Sequence, residues 1–324
     1  MTYLITGAAG FIGSKLAQVL IQEGNDVILV DRFSDYYPTE YKHLRVKSLI
    51  PSQQILNIDL ADRSSIESSL GSKSIKTIFH LAAQPGVRVN FPKSTVYLRD
   101  NISAFSNILE FALSNGAEKF LYASSSSIYQ SAKSYPFTES ESLVMPNNLY
   151  AKSKWINERI AEGYLGNNLN ILGLRFFSAY GPWGRPDMSY LRMISAAFSG
   201  RFYNQNGDGT IRRDFTFIDD LVYSITKLSE LKEFSSKVVN IGGSYERQMS
   251  EAIQIIESLS RKSINLRSGP NLTSDLTRTL ASPALLSEMI NYVPSTSLEM
   301  GLEKTVNWAS NYADDEHLYL WTRD

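Results

Sequence analysis

Three glycines at fixed spacing, Gly7-Ala-Ala-Gly10-Phe-Ile-Gly13, follow the apolar run Tyr3-Leu-Ile-Thr6 and open a stretch of helical spacing over Phe11–Gln22. That order constrains the fold more than any other feature of the chain. A strand turning this tightly into a helix needs a residue for the turn, one where backbone approaches a ligand, and one where helix packs on strand. Gly7, Gly10 and Gly13 supply them in turn, with spacing G-x-x-G-x-x-G rather than G-x-G-x-x-G. The helix beginning at Phe11 and Ile12 then offers unpaired N–H groups and a partial positive charge, which suits a pyrophosphate. Asp31 ends the next apolar strand, 18 residues beyond Gly13. A carboxylate there accepts adenosine ribose hydroxyls and repels a 2′-phosphate, so NAD is expected over NADP. The adjacent Arg32 pulls the other way.

Further strands are predicted at Gln54–Asp59, Thr77–Leu81, Lys119–Ala123, Asn170–Arg175 and Lys237–Ile241, with helical stretches over 62–70 and 94–115. Strands alternating with helices indicate a parallel sheet covered on both faces. Such sheets bind ligands beyond the carboxyl ends of their strands, where strand order reverses. Asp59 and Leu60 are therefore expected beside the adenine. Leu81, Ala82 and Ala83 are expected on the nicotinamide ribose side, where small residues permit close approach. His80 reads as a core histidine. From about residue 175 the pattern loosens into Gly181-Pro-Trp-Gly184, Asn206-Gly-Asp-Gly209 and Ile241-Gly-Gly243. The expected class is α/β, a Rossmann-type doubly wound parallel sheet with a smaller interleaved C-terminal lobe. A dinucleotide-binding body over 1–174, rejoined by 213–241, would carry a substrate lobe over 175–212 and 242–324. A chain of 324 residues buries a core large enough for both.

With no cysteine, disulfides and thiolate chemistry are excluded, and His43, His80 and His317 are too dispersed to suggest a metal cluster. The net charge of −1 requires no basic face, so nucleic acid is not an expected partner. No run approaches the ~18 apolar residues of a membrane helix, and a cytoplasmic protein is expected. The chemistry lies in Tyr150-Ala-Lys-Ser-Lys154, which puts a phenol and an ammonium one helical turn apart on the same face. A phenol with pKa ~10 is a poor base. A nearby lysine and a positive nicotinamide both stabilise the phenolate. Tyr150 then removes a proton from a substrate hydroxyl while hydride leaves the carbon that bears it. The cluster Ser124 to Ser127 supplies a hydroxyl to share that proton.

On these residues the chain resembles the extended short-chain dehydrogenases/reductases, and within them the NAD-dependent nucleotide-sugar epimerases. Asp31-Arg-Phe-Ser-Asp-Tyr-Tyr37, Ala82-Ala-Gln-Pro-Gly-Val-Arg88 and Ser124-Ser-Ser-Ser-Ile-Tyr129 are similar to UDP-glucuronate 4-epimerases. So are Arg175-Phe-Phe-Ser-Ala-Tyr-Gly-Pro-Trp-Gly-Arg-Pro-Asp-Met188 and Arg213-Asp-Phe-Thr-Phe-Ile-Asp-Asp220. The likeness runs from the first strand to about residue 243. It implies a catalytic hydroxyl on Ser125, the base on Tyr150 and its helper on Lys154, with Asn101 steadying the lysine side. It implies a sugar carboxylate met by Ser125, Ser126, Ser127 and Ser178, with Arg185 near the sugar. Arg88 and Arg213 are candidates for carboxylate or diphosphate, since a guanidinium meets either in bidentate fashion. It also implies bound NAD, a UDP-sugar substrate, and a homodimer packed through two helices per subunit, here about 94–115 and 148–166.

The reaction so implied moves hydride from C4 of the sugar to NAD and back to its other face, through a 4-keto sugar. For a uronic acid that intermediate is a β-keto acid, which loses carbon dioxide unless its carboxylate is restrained; several hydroxyl donors suit that task. Ser178 stands where the family usually carries Thr, and the family's C-terminal Pro-Gly-Asp…Ala-Asp segment reads Thr273-Ser-Asp275…Ala281-Ser282 here. Trp183 reads equally as pocket wall or as packing, and Trp155, Trp308 and Trp321 as packing. A dehydratase is disfavoured, because Ser125-Ser-Ser127 stands where it carries an acid pair. Three alternatives stay open: a 4-epimerase of a neutral UDP-hexose or UDP-N-acetylhexosamine, a UDP-uronate decarboxylase, and a non-catalytic NAD-binding sensor.

Overall fold

The computed structural model describes residues 1–86, 95–132, 134–243, 245–269, 276–312 and 322. Along the chain, β1 (Thr2–Thr6), α1 (Phe11–Gln22), β2 (Asp26–Val30), α2 (Thr39–Leu49), β3 (Ile55–Leu56), α3 (Arg63–Leu70) and β4 (Thr77–His80) alternate strictly. The predicted helix over 94–115 is a π-helical segment, Leu98–Ser103, running into α4 (Ala104–Ser114). After it come β5 (Lys119–Ser125), a 3₁₀ segment (Ser126–Ser131), α5 (Leu149–Glu162), β6 (Asn170–Phe176) and β7 (Ser178–Tyr180). The remainder is α6 (Ser189–Ser199), β8 (Phe202–Asn206), β9 (Arg212–Phe217), α7 (Ile218–Glu230), β10 (Val238–Ile241), β11 (Glu246–Gln248), α8 (Met249–Ser260), β12 (Asn265–Gly269), α9 (Ala284–Ile290) and α10 (Leu298–Ser310). Neither α2, whose apolar residues follow no clear stripe, nor the short β7–β9 strands had a periodic signal in the sequence.

Seven strands form one parallel sheet in the order β10-β6-β5-β4-β1-β2-β3. Alternate residues along each strand point to opposite faces, and both faces are buried. Ile5, Phe79, Leu121 and Leu172 join one core with α1, α6, α7, α8 and α10, while Leu4, Ile78, Phe120 and Ile171 join the other with α3 and α4. This accounts for the near-continuous apolar runs in the sequence. β1 lies between β2 and β4, so strand order reverses at its carboxyl end, next to the glycine turn. β10 completes the sheet beside β6 although it lies far along the chain.

Two small sheets carry the later part of the chain: β11-β9-β7, and β12 parallel to β8. The acids of the Arg213…Asp220 stretch serve this part structurally. Buried Asp214 accepts from the N–H groups of Gly243 (2.6 Å) and Ala281 (2.9 Å). Asp220 accepts from Ser295 and Thr296 N–H and from the Tyr292 hydroxyl, at 2.8 to 3.0 Å.

Candidate active site

One cleft of about 750 Å³ crosses the carboxyl ends of the sheet. At one end it is lined by Gly7, Gly10, Phe11, Ile12, Gly13, Asp31, Asp59 and Leu60. Leu81, Ala82 and Ala83 follow, then Ser125, Tyr150 and Lys154, and at the far end Ser178, Arg185 and Arg213. The glycines are required first by the fold. A Cβ on Gly13 would stand 2.2 Å from the Gly7 carbonyl oxygen, and one on Gly7, at φ +73°, 2.8 Å from the Ala82 nitrogen. What packing does not explain is that the N-terminus of α1, with no side chain capping it, opens into this cleft. Such a terminus, with Gly7, Gly10 and Gly13 lacking Cβ atoms and an acid at the end of β2 beside it, fits a dinucleotide diphosphate and ribose. Asp31 is fixed by the Ala9 N–H (3.0 Å) and the Phe33 N–H (2.7 Å). Arg32 is not free beside it: it pairs with Asp100 and lies 3.5 Å from Asp59.

The central residues come from α5 and β5. Asn148 caps α5 by accepting from the Ala151 N–H at 2.7 Å, which fixes where Tyr150 begins its first turn. The Ser125 hydroxyl faces the Tyr150 phenol closely enough to favour its ionised form. The Ser125 hydroxyl also accepts from the Ser127 N–H (3.1 Å) and lies 3.2 Å from the Ser127 hydroxyl. Lys154 donates to the Ala123 carbonyl at 2.8 Å, with its ammonium 5.9 Å from the Tyr150 ring centre. Its ammonium is thus held by the Ala123 carbonyl rather than bonded to the phenol. Burial brings Lys154 down to about 8. Burial raises Tyr150, while the Arg185 charge and the Ser125 hydrogen bond pull it back. The phenol therefore stays protonated near neutrality; a cationic nicotinamide is the charge that would tip it.

Several expected residues sit differently from their anticipated roles. Asn101 touches Gln84 and Ser153 rather than Lys154: it accepts from Gln84 N–H (2.7 Å) and donates to the Ser153 hydroxyl (2.9 Å). Ser153 in turn donates to the Tyr150 carbonyl, so Asn101 braces the helix that carries both site residues. Ser126 and Ser127 are not part of the cleft lining, unlike Ser124 and Ser125. Arg185 grips Asp187 through two bonds of 3.0 and 3.1 Å, and Tyr36 donates to the same carboxylate at 3.2 Å. Trp183 is packing, buried against Tyr41, Trp308 and Tyr312. His80 is the core residue expected, bonded to the Thr6 hydroxyl at 2.9 Å and stacked on Phe120. Arg88, Thr273–Asp275, His317 and Trp321 lie outside the described residues.

Two charged residues that hold the site together had escaped notice in the sequence. Fully buried Arg45 donates to the Ala9 carbonyl in the glycine turn and to the Trp183 and Gly184 carbonyls beside Arg185. Arg175 forms a bidentate pair with Glu158 at 2.9 and 3.0 Å, and Ser124 donates to the same carboxylate. The signal was present: Arg175 ends an otherwise apolar strand, and a buried cation demands a partner.

The model of the NAD dependent epimerase/dehydratase family matches residues 3–242. The chain belongs to that family. It is 34% identical to a UDP-glucuronate 4-epimerase of Thermodesulfobacterium geofontis over 95% of each chain. A crystal structure of UDP-glucuronic acid 4-epimerase from Bacillus cereus, in complex with UDP-glucuronic acid and NAD, superposes with a TM-score of 0.87 at 31% identity. That match covers 96% of this chain and 100% of the other. A UDP-glucose 4-epimerase of Thermotoga maritima with UDP-glucose also superposes at a TM-score of 0.87, at 25% identity, covering 96% and 99%. Family membership makes the chain an NAD-dependent α/β enzyme of the nucleotide-sugar epimerase type. Among the described residues no helix is long and apolar enough to cross a membrane.

Proposed function

We propose that the chain inverts C4 of UDP-glucuronate to give UDP-galacturonate, through a transient 4-keto sugar, with NAD kept in place. The observation that carries this reading is the position of Ser125 and Tyr150. They stand where the glycine-lined half of the cleft meets an end lined by Ser178, Arg185 and Arg213.

NAD, when bound, supplies a reversible hydride acceptor for C4. Gly7, Gly10, Phe11, Ile12 and Gly13 hold its diphosphate, Asp31 its ribose, Asp59 and Leu60 its adenine side, and Leu81 to Ala83 the nicotinamide side. Tyr150 takes the 4-hydroxyl proton, with Ser125 hydrogen-bonded to both oxygens, and Lys154 supports the phenolate with its charge. Once the sugar has turned about its diphosphate, Tyr150 returns the proton to the inverted oxygen. Ser125 and Ser178 restrain the sugar carboxylate, and Ser126 and Ser127 back Ser125 from the following 3₁₀ turn. Arg185, held by Asp187, offers a directed guanidinium edge rather than a mobile cation. Arg213, with Arg88, is assigned to the diphosphate or carboxylate. The Rossmann body is taken as 1–174 with 213–241, of which β9 sits in the small β11-β9-β7 sheet, and the substrate lobe as 175–212 and 242–324. Two copies are proposed to pair in the cytoplasm through the helices over 94–115 and 148–166, whose Leu98 and Leu149 are 61% and 46% exposed.

Proton NMR of the purified protein with UDP-glucuronate and no added NAD tests the reading. UDP-galacturonate approaching a fixed ratio from either side is the expected outcome. A UDP-pentose product would assign a decarboxylase, and turnover of UDP-glucose or its N-acetyl relative alone would assign the neutral-sugar branch. Retained NAD with turnover of none of them would leave a binding protein.

A further inference from the structure

The adenine end of the cleft carries a closed ring of four charges. Arg32 bonds Asp100 and lies 3.5 Å from Asp59. Arg99 bridges the same two acids, donating to Asp100 at 2.8 Å and also bonding Asp59. The ring alternates in sign and is neutral. Its members converge from three places: Arg32 just after β2, Asp59 after β3, and Arg99 with Asp100 from the π-helical segment. Arg32, Asp59 and Asp100 all line the cleft. Asp100 has only 7% of its side chain exposed, whereas Arg32 has 31%. The buried member therefore anchors the partly exposed one. Asp31 is occupied separately by the Ala9 and Phe33 N–H groups.

An arginine just beyond the acid that ends β2 is placed to receive the 2′-phosphate of NADP. Here that arginine is already engaged. We infer that Asp100 is a cofactor-specificity residue: by holding Arg32, it withholds the cation a 2′-phosphate would need, so NAD is selected by Asp100 together with Asp31. Removing Asp31 alone lifts a repulsion but supplies no attraction. Neutralising Asp100 leaves Arg32 with Asp59, a carboxylate that Arg99 shares, and frees its fork for a phosphate.

The inference rests on the dinucleotide reading, and binding tests it without any sugar turnover. Protein stripped of nucleotide is titrated calorimetrically with NAD and with NADP. Asp31→Ser is expected to weaken NAD and leave NADP nearly unchanged. Asp31→Ser with Asp100→Asn is expected to bind NADP about tenfold more tightly than Asp31→Ser alone, the scale of one charge-assisted bidentate contact. Adding Arg32→Ala should erase that gain. Asp100→Asn alone keeps the ribose acid and should lower the NAD-to-NADP affinity ratio about threefold, as a partly exposed pair allows, giving a readout if the double variant does not fold. Equal NADP binding by Asp31→Ser and the double variant, a gain that survives Arg32→Ala, or an unchanged ratio in Asp100→Asn would overturn the inference. Wild-type protein that binds NAD while these variants fail breaks this inference alone. Wild-type protein that binds neither dinucleotide breaks the reading beneath it as well.

Discussion

At the dinucleotide end the cleft wall is largely backbone: the Gly7–Gly13 turn, the first turn of α1, and Leu81 to Ala83 at the end of β4. At the sugar end side chains set the wall: Tyr36 reaches Asp187 across the sequence, Asp187 orients the nearby Arg185, and Arg45 holds the Trp183 and Gly184 carbonyls. Backbone geometry is set by local residue type, so one glycine pattern suffices to specify the first end. The second end depends largely on contacts between residues more than a hundred positions apart, from Tyr36 to Asp187 and from Arg45 to the Trp183 and Gly184 carbonyls, which orient polar groups that would otherwise be unpaired. The first is a binding frame that many chemistries share. The second is the end proposed to meet the sugar.

The junction between the two ends is where substitution should hurt most. Tyr150→Phe keeps the ring and its packing against Tyr97 but removes the hydroxyl beside Ser125. Turnover of UDP-glucuronate should fall about a thousandfold or more, the scale of a lost general base. NAD content of the purified variant should be unchanged, because the glycine turn and Asp31 proposed to hold it are untouched. A variant that lost both together would erase the distinction between chemistry and frame.

Arg45 offers a sharper break, since it touches both ends. Arg45→Met leaves the carbonyls of Ala9, Trp183 and Gly184 without this donor and should destabilise the fold by about 3 kcal/mol, as expected for an unmade buried charged network. The damage should be uneven. Ala9 is also held through its N–H to Asp31, and Gly7 to Gly13 by their own close packing. Gly184 keeps one bond, from the Tyr41 hydroxyl at 2.8 Å. KM for the UDP-sugar is therefore expected to rise more than affinity for NAD falls. Equal losses, measured by steady-state kinetics and calorimetry, would mean that the two ends form one unit.

That asymmetry also explains what the sequence disclosed. The glycine turn, the acid after β2, the alternating strands and the Tyr150–Lys154 spacing are local patterns with a single physical cause each, and each fell where expected. Asn101 was placed on the right side of the site but bonded to Ser153, because a spacing cannot say which of two neighbouring side chains a distant amide will reach. Arg45 and the Arg175–Glu158 pair were missed, although a cation in the apolar β6 run is a readable signal. Asp187 stood unnoticed in the most specific motif of the chain, beside the arginine it orients. The role of α2 was hidden because it packs through Tyr41 and Arg45, polar residues with no apolar stripe to give it away.

The smallest effect tests how dry the core is beneath the backbone-built end. His80 closes β4, fully buried, with its Nδ1 on the Thr6 hydroxyl, and burial lowers it to about 3, helped by the Lys154 charge. The folded protein thus holds this imidazole neutral, while the unfolded chain takes up a proton near the ordinary value of 6.5. Its contribution to stability is fully present above pH 6.5 and is lost as pH falls toward 3, at up to about 1.4 kcal/mol per unit. His80→Leu removes that term at every pH and also removes the Thr6 bond, which shifts the stability at both pH values alike. Between pH 7.5 and 5.5, urea denaturation should therefore show wild type losing about 1 kcal/mol more than the variant. Equal losses would mean that His80 titrates in the folded state as it does in water. The strand ends under the cofactor would then be more open than their burial indicates, and the dry backbone frame would not hold at its centre.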